Sequence, residues 1–584
     1  MIDYCLSCLD NIKKEASYRN IFRHFCSHGN RPAVQYTLNK EIKVLTYADM
    51  EFTCEYAGDK IKALIGDAEK GFVCLKLANC PEWYSIFWGI LIAGYKPFLI
   101  DARHDKNLTQ YFIDQAKAVA IICNEANEYE NTKKIEATDI FTLDRKHILE
   151  VSEKADRASK TVEERITSYE WGDEVALCTS GTTSTAKIYI YDGEAMTNQI
   201  MCAKGVITVN EVICSDSPKR NLAFLPLNHI FGFMANYIWY SVFAASQVVP
   251  EKIAPSVLLS TCRDHKVTHM LAVPLLVNNI ASGLMKKLSK ESKLKQFGFN
   301  AMLNIGLFCQ HINPLFGIKV SKKLMKNSVL SQLAGDSIEC IICGGGHVLP
   351  ETMKIVNGIG YFTLCGFGMT EVGISSMEKR LSLKKRLAGC VGVPVDDIEY
   401  RIVPLNDNDP SVGELQMRGN SMHSAMIKDG VRTGTDLNEE GWFATGDIGR
   451  LVDGALYIEG RLKEVIINES GENVYPDELE DTFLNIDGVK NFTVLGIKKA
   501  PDSKYEDIVL VCQVSEEIND EYIEKIKPVI TARNKTLMGL KKVDYALLTT
   551  DDLPLSNGIK VRRVIIKREV ENGEGNYVKL DKIK

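Results

Sequence analysis

The stretch Leu177-Cys-Thr-Ser-Gly-Thr-Thr-Ser-Thr-Ala-Lys187 decides how this chain is read, because it crowds hydroxyl side chains, a glycine and a lysine into one run. It follows Glu174-Val-Ala-Leu-Cys178, a short apolar segment that reads as a strand. Such a loop offers hydroxyls and backbone N–H groups to phosphate oxygens, with a lysine at its end as a point charge. The P-loop of nucleoside triphosphatases is the first reading to test. Gly181 and Lys187 stand nearly at its spacing. But Ala186 replaces its second glycine, and Ile188 replaces the Ser or Thr that holds Mg²⁺. The run is therefore a phosphate loop of another type, and its identity depends on what else the chain carries.

Six more segments follow in order: Leu225-Pro-Leu-Asn-His-Ile-Phe-Gly-Phe233, Gly366-Phe-Gly-Met-Thr-Glu371, Trp442-Phe-Ala-Thr-Gly-Asp447, Gly460-Arg-Leu-Lys463, Gly471-Glu-Asn-Val-Tyr-Pro-Asp-Glu-Leu-Glu480 and Leu553-Pro-Leu-Ser-Asn-Gly-Ile-Lys560. Together with the loop they resemble the adenylate-forming superfamily of acyl-CoA synthetases, luciferases and nonribosomal peptide adenylation domains. The resemblance runs from Arg31 to Arg563, nearly the whole chain.

That resemblance implies a reaction in two halves. A carboxylate attacks the α-phosphorus of ATP and expels pyrophosphate; a thiol then attacks the acyl-adenylate and releases AMP. The first half brings two anions together, so cations and donors are needed around the α-phosphate. By resemblance Lys560 bridges the carboxylate and the α-phosphate, although Ile559 intervenes where the family usually has Gly-Lys. Glu371 holds Mg²⁺ on the ATP phosphates, a task for a hard oxygen ligand, and Thr370 donates to the α-phosphate. Thr179, Ser180, Gly181, Thr182, Thr183 and Lys187 clasp the β- and γ-phosphates. The loop departs from the family at Ser184, Ala186 and Ile188, usually Gly, Pro and Gly.

Adenine is expected against Gly345, Gly346 and His347 (usually Ala) and against Gly366, Phe367, Gly368 and Met369, with Phe367 in place of a usual Tyr. Asp447 accepts from both ribose hydroxyls and Arg461 supports the ribose. The acyl pocket is assigned to His229, Phe231, Gly232 and Gly344, with His229 as an aromatic gate that positions rather than exchanges protons. Lys463 stands at the family's hinge and Gly471 lines the thiol channel. The implied domains are 1–459, an AMP-binding domain; 460–464, a hinge; and 465–584, a mobile catalytic lid. Four of these residues have a plainer alternative, His229 as a satisfied structural histidine among them. Lys560 is a surface lysine in a basic tail with Arg562 and Arg563, Glu371 caps a helix with Thr370, and Asp447 is a solvated loop residue.

Composition bounds these readings. A chain of 584 residues is too long for one ordinary domain, and 45% hydrophobic with 25% charged residues is globular. The net charge of -6, from 70 basic and 76 acidic residues, gives no reason to expect nucleic acid. The 17 cysteines are scattered, which suits thiols in a reducing, cytoplasmic setting. Cys5/Cys8 and Cys340/Cys343 have metal-like spacing, with His24, Cys26 and His28 as further ligands. An amphipathic helix for the first pair and a buried strand for the second are the preferred readings. Met1-Ile-Asp-Tyr-Cys has neither a basic segment nor a cleavage site, so no secretory signal is read. Asn, Gln, His and Pro interrupt the apolar run 297–316, which argues against a bilayer span.

The pattern predicts an α/β fold: a large N-terminal domain of parallel sheets layered with helices, a small β subdomain after Gly392, and a small α+β C-terminal domain. Helices are expected over 1–30, from a Thr46 cap to Ile65, and over Trp83–Ala93. Strands are expected at 72–77, 96–101, 221–225, 267–273, 337–342 and 361–365. Beyond Lys463, helices are expected at Pro476–Leu484 and Asp520–Thr531, and strands at Asn491–Ile497 and Ile508–Val514.

Asn228-His-Ile-Phe-Gly-Phe-Met-Ala-Asn236 carries no acid, which disfavours an amino-acid substrate. Between Val277 and Cys340 the chain has an extension similar to that of long-chain fatty acyl-CoA synthetases. Leu284–Asn327 holds nine lysines and one glutamate among Phe, Met, Leu and Ile. It is either a flap touching an anionic membrane at the inner face or a solvated helical pair. The reading is a Mg²⁺-dependent fatty acyl-CoA ligase using ATP and CoA. The alternatives are a fatty acyl-AMP ligase that loads a carrier protein's phosphopantetheine, and a non-catalytic adenylate-fold binding protein.

Overall fold

The structure is a computed structural model. It describes all residues except 1, 67–68, 143–160, 180–185, 211, 214–217, 347, 406–409, 469–472, 485, 499–502, 504, 538–540, 557–559, 582 and 584; the side chains of Ser556 and Lys560 are also outside it. The chain forms two units, residues 1–399 with 418–441, and residues 400–417 with 442–584.

The first unit holds two large sheets. In one, the strands Phe362–Met369, Cys340–Cys343, His269–Ala272, Arg220–Leu222, Ser246–Val249 and Pro32–Leu38 run parallel in that order. In the other, Glu174–Cys178, Lys96–Leu99, Phe72–Lys76, Ala120–Cys123 and Lys133–Glu136 are parallel. Runs such as Cys340-Ile-Ile-Cys343 are buried throughout, as a parallel sheet covered on both faces requires. The strand expected at 337–342 thus begins three residues later and ends one residue later, and both cysteines are core groups. Cys5 and Cys8 are buried on the helix Ile2–Lys13. No group of three metal-ligating side chains occurs among the described residues.

Two local outcomes follow from single residues. Thr46 caps the helix Tyr47–Ile65 in a reciprocal capping box with Asp49. The segment Phe231–Trp239 is a π-helix, a form concentrated at functional sites. Gly232 permits its tight entry, since a Cβ there would lie 2.3 Å from the carbonyl oxygen of Pro226. The helix packs on Pro81–Ile92, where Trp88 donates to the Tyr237 hydroxyl at 2.7 Å.

The second unit has a four-stranded sheet of Glu399–Pro404, Val412–Arg418, Phe443–Val452 and Ala455–Arg461. It also has a sheet of Val489–Lys498, Glu506–Val514, Tyr545–Thr549 and Val578–Leu580, covered by the helix Asp520–Asn534. The expected β subdomain therefore divides. Its hairpin Ala425–Lys428/Val431–Gly434 extends the second large sheet of the first unit, and its four-stranded sheet groups with the C-terminal segment.

Candidate active site

In the first unit the phosphate-type loop spans a β-hairpin. Glu174–Cys178 pairs antiparallel with Ile188–Asp192, and Cys178 faces Ile188 across the neck. The Thr179 N–H donates to the Lys187 carbonyl at 3.2 Å. A P-loop instead leads from a strand into a helix, so the topology adds to the residue-level exclusion. Ala186 and Ile188, two of the departures from the family pattern, are both buried. Ser180, Gly181, Thr182 and Thr183 lie outside the described residues.

The strand Phe362–Met369 carries Gly366, Phe367, Gly368 and Met369 beyond the expected end at Cys365 and turns back through Gly373–Met377. Thr370 and Glu371 occupy that turn, so they do not cap a helix. The neighbouring hairpin holds them. Tyr191, on the strand after the loop, donates its hydroxyl to the Thr370 carbonyl at 2.9 Å. Tyr189 is hydrogen-bonded to the Glu371 carboxylate; burial, reinforced by that negative charge, pushes its phenol pKa up. His423 donates from Nδ1 to the Glu371 carbonyl and packs edge-on against Tyr189. Thr435 bonds the His423 carbonyl at 2.7 Å, and the next residue, Asp436, lies 3.9 Å from Lys187. Lys187 and Glu371 are therefore brought to one neighbourhood by residues that motif reading passed over.

His229 precedes the π-helix, and its Nε2 lies 3.7 Å from Asp101. Asp101 also accepts from the Nε of Arg103 at 2.9 Å. Burial alone would raise the Asp101 pKa, but the hydrogen bonds from Arg103, with the His229 ring close by, outweigh it and hold the carboxyl well below the usual carboxylate range. Gly344 ends the strand Cys340–Cys343 with Gly345 and Gly346 in the turn beyond; a Cβ on Gly344 would sit 3.0 Å from the Phe231 ring. Phe231 and Gly344, both expected to line an acyl pocket, are thus neighbours. His347 lies outside the described residues.

In the second unit Asp447 and Arg461 are cross-strand partners, with Arg461 Nε 3.0 Å from the Asp447 carboxylate. Asp447 is buried, so it is not a solvated loop residue. Lys463 lies in the short 3₁₀ turn Leu462–Glu464. Lys560 begins the second strand of a small hairpin, in register with Ser556, and Arg562 N–H closes that hairpin onto the Pro554 carbonyl at 2.8 Å. Gly471 and Ile559 lie outside the described residues.

The basic tail weighed for Lys560 is not solvated throughout. Arg563 is only 5% exposed and binds Glu464, Asp477, Glu480 (2.8 Å) and Thr493 (3.1 Å). It ties the Lys463 turn, the helix Pro476–Glu480 and the strand Val489–Lys498 to the segment that follows Lys560.

Comparison with known proteins agrees with this geometry. A family described as AMP-binding enzyme matches residues 22–425. A probable acyl-activating enzyme 16 of Arabidopsis thaliana chloroplasts is 21% identical over 68% of this chain, which spans 62% of that relative's length. The long-chain-fatty-acid–CoA ligase ACSBG2 of Mus musculus is 24% identical over 77% of this chain and 70% of its own. A chloroplastic long-chain-fatty-acid–[acyl-carrier-protein] ligase of Arabidopsis thaliana is 21% identical over 67% and 59%. Among solved structures, o-succinylbenzoate CoA synthetase of Bacillus subtilis with its acyl-adenylate superposes at a TM-score of 0.67, 17% identical, over 94% of this chain and 97% of that one. The family match spans well over half of the sequence, and the chain belongs to the AMP-binding enzyme family.

Proposed function

We propose that the protein activates a fatty acid with ATP, forms the acyl-adenylate with release of pyrophosphate, and transfers the acyl group to the thiol of CoA. The observation that carries the adenylation half is the network joining Lys187 to the Glu371 turn through Asp436, Thr435, His423 and Tyr189. It gathers a cation, a carboxylate and a donor-rich loop neck, the groups that transfer at an α-phosphate needs. Support for a fatty acid comes from the relatives' names and from the helical extension after Val277.

In this reading Thr179, Ser180, Gly181, Thr182, Thr183 and Lys187 hold the β- and γ-phosphates, and Thr370 donates to the α-phosphate. Gly345, Gly346, His347 and Gly366–Met369 receive adenine, and Asp447 with Arg461 receives the ribose. His229, beside Asp101, faces the acyl group with Phe231, Gly232 and Gly344. Lys560 supplies positive charge to the carboxylate and α-phosphate. Residues 460–464 act as the hinge through Lys463, and Gly471 keeps the thiol route open.

Mg²⁺ fits this donor set. Glu371 is the single carboxylate of its turn, and Mg²⁺ typically takes one or two carboxylates together with substrate phosphates rather than an all-protein cage. When bound it would neutralise charge on the phosphate oxygens. The relative that acts on acyl carrier protein favours a second reading, in which a carrier's phosphopantetheine thiol takes the place of CoA.

Lys560→Ala tests the proposal. The variant should keep ATP binding and lose acid-dependent pyrophosphate release by at least a hundredfold. Unchanged release would remove Lys560 from the mechanism. Absence of turnover in both proteins would favour a binding module.

A further inference from the structure

The extension after Val277 is built from the helices Pro274–Ser289, Lys293–Ile312 and Pro314–Met325. The middle helix has two apolar stripes. The inner one, Phe299, Leu303, Gly306 and Leu307, with Gln310, is buried. It is fixed firmly: a Cβ on Gly306 would strike Ser321, Gln310 bonds Ser321 at 3.1 Å and the Asn357 carbonyl at 2.8 Å, and the buried Arg386 binds both Gln310 and Asn357.

The outer stripe runs Leu294, Phe297, Ala301, Ile305, Phe308 and Ile312. At 3.6 residues per turn these fall within roughly 80° of arc, opposite the inner stripe. Leu294 is 80% exposed, Phe297 73%, Phe308 66% and Ile312 70%, and Phe316 continues the patch on the next helix at 60%. A rigidly docked helix that presents this many large apolar side chains to solvent is the signature of an interaction surface.

The surrounding charge selects the occupant. Leu284–Asn327 carries nine lysines and one glutamate. Lys322 is turned inward onto the Ile338 carbonyl, while Lys287, Lys295 and Lys326 bind Gln332, Glu291 and Asp336. Lys290, Lys293, Lys319 and Lys323 are exposed and have no acidic partner among the described residues. Lys293 and Lys295 fall on opposite flanks of the stripe, and Lys319 and Lys323 share the face of Phe316 by helical spacing. A second copy laid on this patch would set lysine against lysine with almost no acid to pair them. An anionic bilayer surface satisfies both features, taking the aromatic and aliphatic side chains into the acyl boundary and the lysines at the headgroups.

We propose that the outer face of helix Lys293–Ile312, with Phe316 and its flanking lysines, docks the protein peripherally on anionic phospholipid membranes. Among the described residues no helix is long and apolar enough to cross a bilayer, so the contact is one of surface insertion.

Vesicle co-sedimentation of the full chain tests this, and it needs no turnover, so it fails or succeeds independently of the ligase reading. Vesicles of phosphatidylcholine alone and of phosphatidylcholine with phosphatidylglycerol serve as probes. Binding should require the anionic lipid and weaken with salt. Phe297→Asp/Phe308→Asp should lower it by more than tenfold. Each of Lys290→Gln, Lys293→Gln, Lys319→Gln and Lys323→Gln should lower it about fivefold, from roughly 1 kcal/mol per lysine near an anionic surface. All six positions are exposed, so the melting temperature should stay unchanged. Equal binding to both vesicles, or binding untouched by these substitutions, would overturn the proposal. Concentration-dependent dimerisation lost in Phe297→Asp/Phe308→Asp, with no vesicle binding by the parent, would assign the patch to a second copy instead.

Discussion

Replacing Arg563 with leucine should loosen the segment that carries Lys560. The guanidinium is almost fully buried and serves three carboxylates, Glu464, Asp477 and Glu480, and the Thr493 hydroxyl. Removing one partner of a buried ion pair costs about 3–5 kcal/mol, because uncompensated charge remains. At about 1.4 kcal/mol per factor of ten, opening of the surrounding structure becomes roughly a hundred to several thousand times more frequent. Hydrogen exchange of the full chain reads this directly: amides of Val489–Lys498 and of the helix Arg563–Glu571 should lose that much protection, while strands of the first unit keep theirs. The pH dependence has a definite sign. Burial already raises the Glu480 pKa, and losing Arg563 removes its main opposing charge. Protonation would then relieve the variant, so its deficit should shrink as pH falls from 7 to 5. Arg562→Leu, one residue earlier, is the control. Protection reduced less than tenfold in Arg563→Leu, or equal losses in both variants, would refute the argument.

Three further outcomes follow from the geometry. Gly344→Val places side-chain atoms against the Phe231 ring; steady-state kinetics should show a raised KM for long acids with ATP binding unchanged, whereas equal effects on all acids would remove Gly344 from the acyl pocket. Asp101→Asn removes the negative charge beside the His229 ring; a charge contact of this length contributes about 1 kcal/mol at most, so kcat/KM should fall about fivefold without loss of fold, and an unchanged value would remove Asp101 from positioning His229. His28 and His269 are buried and pushed by burial down to about 3 and about 4. Their neutral forms are favoured when folded, so they cost nothing above the unfolded pKa near 6.5, and stability falls as pH drops below it. At pH 5 each should cost about 2 kcal/mol; melting curves at pH 7 and 5 should differ accordingly, and His28→Asn/His269→Asn should narrow the gap.

Much of the fold was legible because it rests on local signals. The Thr46 cap, the helix to Ile65 and the strand Phe72–Lys76 follow from capping chemistry and short apolar runs. Two of the four strands of the C-terminal sheet and the helix Asp520–Asn534 lie within three residues of expectation, while Tyr545–Thr549 and Val578–Leu580 were not expected, and the helix from Pro476 is α-helical only to Glu480 and ends as a 3₁₀ turn. The division of the β subdomain was not legible, because strand pairing between Ala425–Lys428 and Ile188–Asp192 spans more than two hundred residues. The π-helix depends on the close approach of Gly232 to Pro226, which helical periodicity does not encode.

The site divides in the same way. Glu371, Asp447 and Lys560 are candidates that motif order alone supplies. The groups that hold the site residues or their neighbours (Asp101, Tyr189, Tyr191, His423 and Arg563) carry no motif of their own. Tyr189 and Tyr191 alternate on a strand beside the loop, which is a weak signal of a shared face. Asp101 ends a segment expected to be a strand, where ligand sites in parallel sheets gather. Arg563 read as surface charge because nothing in Arg562-Arg563 reveals which of the two is buried.

The most direct measurement is pyrophosphate release from ATP by the purified protein, across carboxylic acids from acetate to oleate, with and without CoA. The account predicts release that depends on a long-chain acid, with acyl-CoA and AMP formed when CoA is present. Release without acyl-CoA would transfer the second half-reaction to a carrier protein. No release with any acid of the series would contradict the account.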